Sequence, residues 1–516
     1  MEERAGKLMV VVPRDQHDPA TDDVRELREQ RPRLGDCPGG RPIAKFDRVS
    51  EEDHLVNTLE RVEEPLPHDR ATKQSSLLHV PRCRSDMTTV NSSRSFAAAA
   101  GRNRNLHEDR VLRCDEMVRR RRDLRRLLLV ALFLLMASLA TAPTGWAAKR
   151  KVPVGFFGVN VDQGFPTASW PSQQGQARLM ARSGVESVRI QFNWSAAQQY
   201  ASLAEVPPTN RSLFVPGPNG RPITYAFTDA SVRLAAEAGM RVLPIVVFSP
   251  RWASGQPTAH FYKSYMPSDP QTYAAYLQAL IGRYGRNGSF WAENPTLPKM
   301  AIREWQIWNE PTRLGDQERQ PAERYYPPLL KSAYTAIKGT DPGAKVVLAG
   351  IHNVSWQTLA RLYKAGIKRY FDVAAFHPYT KKVSNVVRIV QLNRAVMRRR
   401  GDGGKPIYLT EVTYTAAKGR IPRSQEFGPE TSQRGQAKLL PKVYQALIEQ
   451  RRTLGIARGY WYSWATPYQG VSTFSYAGLV KQQGSLFSPQ PALSAYARTA
   501  SRYEGCRKAD DARRCR

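Results

Sequence analysis

From residue 149 onward the chain alternates, eight times over, between short apolar runs and segments with helical spacing. The runs at 154–160, 185–194, 240–248, 302–309, 345–351, 371–377, 406–412 and 458–465 read as strands. The stretches at 173–182, 229–238, 271–284, 323–337, 355–365, 384–399, 434–452 and 488–503 read as helices. In the third of these Tyr273, Tyr276, Leu277, Leu280, Ile281 and Tyr284 recur on one face. Gly184 and Gly239 follow two helical stretches, as stop signals do. Eight such pairs predict an α/β fold, a (β/α)8 TIM barrel spanning 149–503 as a single catalytic domain. A doubly wound open sheet is the rival. It calls for a glycine-rich nucleotide loop after the first strand, which Gly155-Phe156-Phe157-Gly158 does not supply.

In a barrel of parallel strands, catalytic groups sit at the C-terminal strand ends. Polar and aromatic residues gather there in this sequence. Strand two carries Arg189 and ends in Asn193-Trp194; strand three is followed by Pro250-Arg251-Trp252. Strand four ends in Asn309-Glu310, strand five in His352, strand six in His377-Pro378-Tyr379, strand seven in Thr410-Glu411, and strand eight in Trp461 to Trp464. Each alone has an ordinary structural reading. Their recurrence at one end does not.

Strand four is the most informative. Trp305, Ile307 and the residues before them supply apolar content; Asn309-Glu310-Pro311 then breaks it. Pro311 has no N–H and ends the strand, leaving a carboxylate at its tip. Three strands on, Ile407-Tyr408-Leu409-Thr410-Glu411 repeats the pattern of an apolar strand ending in Glu. Two carboxylates about 5 Å apart are what retaining glycosidases need. Trp308-Asn309-Glu310-Pro311 resembles the W-N-E-P signature of clan A glycoside hydrolases, and the likeness extends from 151 to about 503. Within the clan it is similar to family 39 and to cellulase-like actinobacterial proteins, with a family 5-like endoglycanase open. Little chain is left for the β-sandwich of many family 39 enzymes.

The resemblance implies a retaining hydrolase of β-linked glycans, with Glu310 as acid/base and Glu411 as nucleophile. It implies that Asn309 grips the sugar 2-hydroxyl, that Arg189 holds Glu411 ionised, and that Tyr379 hydrogen-bonds the nucleophile. His377 would line the same wall, Trp464 would be the sugar platform, and Trp252 and Trp308 would be further sugar contacts. No cofactor or metal is expected: C-x-x-C, H-E-x-x-H and phosphate-loop patterns are absent from the sequence. A barrel that binds carbohydrate without cleaving it is the competing class; the presence of both glutamates and Asn309 argues against it.

Residues 1–116 are polar, mixed in charge and without sustained periodicity. At Met117 the text changes. Arg119 to Arg122, Arg125 and Arg126 precede the apolar run 127–140, and small residues follow to Ala148. That is the anatomy of a signal peptide, 117–148, too short for a membrane span. Translation starting at Met117, with 1–116 an over-extended reading frame, explains it. The alternative is a disordered tail followed by one membrane anchor, making a membrane-anchored cell-wall protein. A secreted or cell-surface monomer is expected, with residues 504–516 as a basic tail. Cys506 and Cys515 can pair in an oxidising compartment.

The chain carries a formal net charge of +32. Residues 149–516 hold about 51 Lys and Arg against about 22 Asp and Glu, so the excess belongs to the barrel. It reads either as solvated helix faces or as affinity for an anionic polysaccharide or the cell wall. Nucleic acid is not an expected partner, since no recognisable binding module is present.

The leader pattern predicts a mature N-terminus between Pro143 and Lys149. Mass spectrometry of the exported protein checks it; peptides from 1–116 recovered from the native organism would overturn the internal start.

Overall fold

A computed structural model describes residues 149–161, 169–314, 318–352, 354–505 and 511–515. The extension 1–116, the leader 117–148 and Cys506 lie outside the described residues. Eight parallel strands form the centre: β1 Phe157–Val161, β2 Ser187–Asn193, β3 Arg241–Val247, β4 Glu304–Ile307, β5 in two pieces (Lys345–Val347 and Ile351–His352), β6 Ala374–His377, β7 Ile407–Val412 and β8 Ile456–Trp461. Each pairs with the next, and β8 returns to β1 through Phe157 opposite Gly459. The first piece of β5 pairs with β4 and the second with β6, so the curled sheet is brought round on itself. Eight helices alternate with the strands: α1 Trp170–Arg182, α2 Ala226–Glu237, α3 Pro270–Tyr284, α4 Ala322–Thr340, α5 Ser355–Lys364, α6 Val383–Arg399, α7 Gln433–Leu454 and α8 Pro491–Glu504. This is the (β/α)8 barrel expected.

Local chemistry sets several boundaries. Asp269 accepts a hydrogen bond from the Gln271 N–H and Pro270 occupies the first turn of α3. Ser432 caps α7, and Gly455, at φ +64°, ends it in the left-handed conformation. The last helix starts at Pro491 rather than 488, because residues Leu486–Pro489 pair antiparallel with Val480–Gln483. Strand two stops at Asn193, whose side chain caps a single helical turn, Trp194–Ala197. The expected eighth strand is shorter than 458–465 at its far end: Ala465–Thr466 joins the small outer sheet instead. Among the described residues no helix is long and apolar enough to cross a membrane.

Inside the barrel, alternate strand residues point inward. The lower layer holds Leu243, Val347, Val373, Ala375, Tyr408 and Tyr460. Arg458 pairs there with Glu304 at 2.8 Å, and the Tyr408 hydroxyl donates to the same carboxylate. Gly158 makes room for Tyr460: a Cβ at 158 would lie 2.4 Å from the ring. Two residues further up each strand the inward set turns polar: Asn160, Arg189, Gln306 and Thr410 are all buried. The floor is a packed plug, and the mouth is where polar groups converge.

Below the floor, Glu504 ends α8 at 3 % exposure, and neither carboxylate oxygen has a hydrogen-bond partner among the described residues. Burial, then repulsion by Glu186, push its carboxyl up to about 9, with Arg150 opposing. An unfolded glutamate ionises near 4.5. The folded state is therefore favoured fully below that pH and loses stability as pH rises toward 9, by at most about 1.4 kcal/mol per unit. Glu504→Gln should remove most of that slope and leave the protein more stable than the parent at pH 8. Urea unfolding between pH 5 and 9 checks it.

Candidate active site

The end of β4 departs from regular strand geometry. Trp308 and Glu310 both have positive φ, +67° and +38°. Left-handed backbone at a residue with a Cβ costs on the order of 1–2 kcal/mol. Here it breaks the in–out alternation. Trp308 turns outward, edge-on to Tyr273 of α3 at 6.2 Å. Asn309 and Glu310, neighbours in sequence, both reach the mouth of the barrel. The Trp308 N–H donates to the Val246 carbonyl and the Glu310 N–H to the Gly350 carbonyl, so the tip stays tied to β3 and β5.

Glu411 ends β7 across the mouth. Its Oε1 accepts from Arg189 Nη1 at 2.7 Å, and its Oε2 accepts from the Tyr379 hydroxyl. Burial and then the Glu411 carboxylate push the Tyr379 phenol well above its ordinary value, so it remains the donor. Arg189 also donates to Asn160 Oδ1 (2.7 Å), Gln306 Oε1 (2.7 Å) and Asn309 Oδ1 (2.9 Å). With its carbonyl oxygen so engaged, the Asn309 amide has its NH₂ donors left for other partners.

His377 sits between the two glutamates and is fully buried. Its Nδ1 lies 2.8 Å from Glu310 Oε1, and its Nε2 lies 3.0 Å from Thr410 Oγ1 and 3.5 Å from Glu411 Oε1. A neutral imidazole offers one donor and one acceptor to these partners. The ring occupies space that only glycine leaves open: a Cβ at Gly350 would come within 1.9 Å of Nε2. His352, at the tip of β5, stands 3.7 Å from Glu310 Oε2. Single atoms of Glu310, His377 and Glu411 lie within 4.8 Å of one another. Such a spacing also suits a metal ion, but the Arg189 guanidinium already supplies a fixed positive charge at Glu411.

The expected residues do not all meet. Glu310, Glu411, Asn309, Arg189, His377 and Tyr379 converge. Trp464 does not form a platform: it is fully buried and its indole N–H donates to Gln176 at 3.1 Å, leaving no free ring face. Trp308 is 1 % exposed and packs in the shell between strand and helix. Trp252 is half-buried, and the Arg221 guanidinium lies over its ring at 4.4 Å. The aromatic lining at the mouth comes instead from loops. Phe474 lies 5.3 Å from Tyr379, from Phe427 and from Tyr462.

Asn160, Gln306 and Thr410 join the site without a role expected of them, as do His352 and Gly350, although Thr410 and His352 stood among the polar residues at the strand ends. The first three carried a usable signal, a polar residue inside an otherwise apolar strand. Gly350 carried none.

No family model matches the sequence, and no curated protein does. Solved structures with a similar course of chain include a glucosidase from Croceicoccus marinus (15 % identity, 69 % of each chain, TM-score 0.48). They also include the GH39 enzyme from Xanthomonas axonopodis pv. citri (16 %, 68 % of this chain and 67 % of that one, 0.46). A third is the catalytic domain of GH30 xylanase C from Talaromyces cellulolyticus (14 %, 69 % and 76 %, 0.43). Likenesses of this size decide neither activity nor substrate.

Gly350→Ala should cost about 1–3 kcal/mol of stability, because a buried imidazole held at both nitrogens has nowhere to move. Urea unfolding measures the loss. A change within error would mean that the His377 ring is free to shift.

Proposed function

We propose that this protein is a retaining glycoside hydrolase of the clan A type, acting on a β-linked glycan. The observation that carries the proposal is the facing of Glu310 and Glu411 at the barrel mouth, with oxygens within 4.8 Å of one another. That separation suits direct attack by one carboxylate. It leaves no room for the water that an inverting enzyme places between its pair.

In the first step the Glu411 carboxylate attacks the anomeric carbon as its bond to the leaving oxygen breaks. Glu310 gives its proton to that oxygen, and a glycosyl ester on Glu411 results. In the second step Glu310, now a carboxylate, takes a proton from water; the water oxygen attacks the anomeric carbon and frees Glu411. Arg189 and Tyr379 orient the attacking carboxylate. Asn309 directs its NH₂ at the sugar hydroxyl next to the reacting carbon. His377 adjoins Glu310 and changes hydrogen-bond partner role as that residue cycles between acid and base. Aromatic groups Tyr462 and Phe474 supply the apolar wall that the buried Trp464 does not.

The apolar run 127–140 with its basic flank supports export, so the proposed place of action is outside the cell or on its surface.

The two glutamates should fail differently when replaced. Glu411→Gln should abolish turnover of every substrate. Glu310→Ala should slow substrates with poor leaving groups by about 10²–10⁴-fold and spare the first step on activated aryl glycosides. Azide added to Glu310→Ala should restore turnover and give a β-glycosyl azide, whereas azide with Glu411→Gly should give the inverted product. Proton NMR of the first-formed product reads the anomeric configuration. Wild-type inversion, or full activity in Glu411→Gln, would overturn the assignment.

A further inference from the structure

The loops after β2 and β3 hold cations stacked closely on aromatic rings. The Arg221 guanidinium lies 4.4 Å over the Trp252 ring, and the Arg251 guanidinium 3.9 Å over Tyr262, with Lys263 5.9 Å from the same ring. Of the other ring-stacked arginines among the described residues, Arg324, Arg420 and Arg502 lie farther from their rings, at 5.3 to 5.7 Å, and two also have carboxylates. Arg283, over Tyr225, pairs with Asp229 and Glu293; Arg458, over Tyr408, pairs with Glu304. Arg221, Arg251 and Lys263 have no carboxylate partner among the described residues. Arg251 is anchored by donating to the Pro257 carbonyl, and among the described residues the side chain of Arg221 has only the indole.

These groups sit on loops at the same end of the barrel as Glu310. Trp252 follows β3, the strand that pairs with the one ending in Glu310. Its edge meets Trp194 at 5.5 Å, Trp194 meets Tyr273 at 5.7 Å, and Tyr273 meets Trp308, two residues before Glu310. Trp252 donates its indole N–H to the Gln198 carbonyl at 2.8 Å. The Trp252 ring is therefore held in place, and the guanidinium rests on its face. Stacking leaves the N–H edges of a guanidinium available, and those edges match a carboxylate or sulfate group. A bare indole in this place would accept the face of a neutral sugar. An indole covered by an arginine presents positive charge instead.

We infer that Arg221 and Arg251, mounted on Trp252 and Tyr262, form a distal subsite that reads an anionic substituent, a carboxylate or sulfate, on the glycan. This rests on the glycosidase reading and names its substrate class: an acidic polysaccharide or oligosaccharide. Lys263 adds charge without the planar fork.

Affinity, not turnover, tests it. The full chain carrying Glu411→Gln is titrated calorimetrically with a hyaluronan tetrasaccharide (carboxylate only), a keratan sulfate tetrasaccharide (sulfate only) and cellotetraose (neutral). At least one acidic probe should bind about tenfold or more tighter than cellotetraose, and which one does so distinguishes carboxylate from sulfate. Arg221→Gln and Arg251→Gln should each weaken that probe by about tenfold, the size of one lost charge-assisted hydrogen bond. Arg178→Gln and Arg498→Gln remove the same charge from exposed helix positions and should leave its affinity unchanged. The inference is overturned if no acidic probe outbinds cellotetraose, or if the two helix variants weaken binding as much as the two loop variants. Since turnover is not read, an inactive enzyme would not be mistaken for a missing subsite.

Discussion

The Arg189 guanidinium is the point on which the site depends. It is buried inside the barrel at 2 % exposure and reaches acceptors on three other strands: Asn160 on β1, Gln306 and the following Asn309 at β4, and Glu411 on β7. A buried charge costs several kcal/mol in lost hydration unless its donors are filled and an opposite charge is close. Here both conditions hold, and their fulfilment places the parts. Glu411 is drawn toward Arg189. The Asn309 amide is turned so that its oxygen faces inward. Replacing any one acceptor with an apolar side chain would strand a donor where water does not reach, so the polar layer behaves as one unit.

The other half of the site hangs on backbone geometry. A regular β4 would send Asn309 and Glu310 to opposite faces. The left-handed residues at 308 and 310 bring both to the mouth and send the Trp308 indole into the shell. The same local strain that costs the strand stability lets one tripeptide serve two ends: Trp308 packs the barrel against α3, and Glu310 faces its partner carboxylate. Gly350 completes the arrangement by leaving room for His377, which touches Glu310 through one nitrogen and Thr410 through the other. Floor and mouth thus divide the work along each strand. The lower inward residues plug the barrel; those two positions higher carry the polar network.

Much of this was legible in the linear chain. The periods of strand and helix are local, so eight alternations announced the barrel, and the parallel-strand rule pointed to the ends where Glu310, Glu411, Asn309, Arg189, His377 and Tyr379 meet. What the sequence could not decide was which aromatic rings keep a free face. Trp464 and Trp308 stand at strand ends like the site residues, yet one indole turns to Gln176 and the other to Tyr273. That choice follows from backbone angles and from helices packed behind the strands. Nor did the sequence show that Arg221 covers Trp252, or that Gly350 makes room for His377. These pairs lie about thirty residues apart, far beyond any local period, and only the pairing of neighbouring strands, β2 with β3 and β5 with β6, brings them within contact.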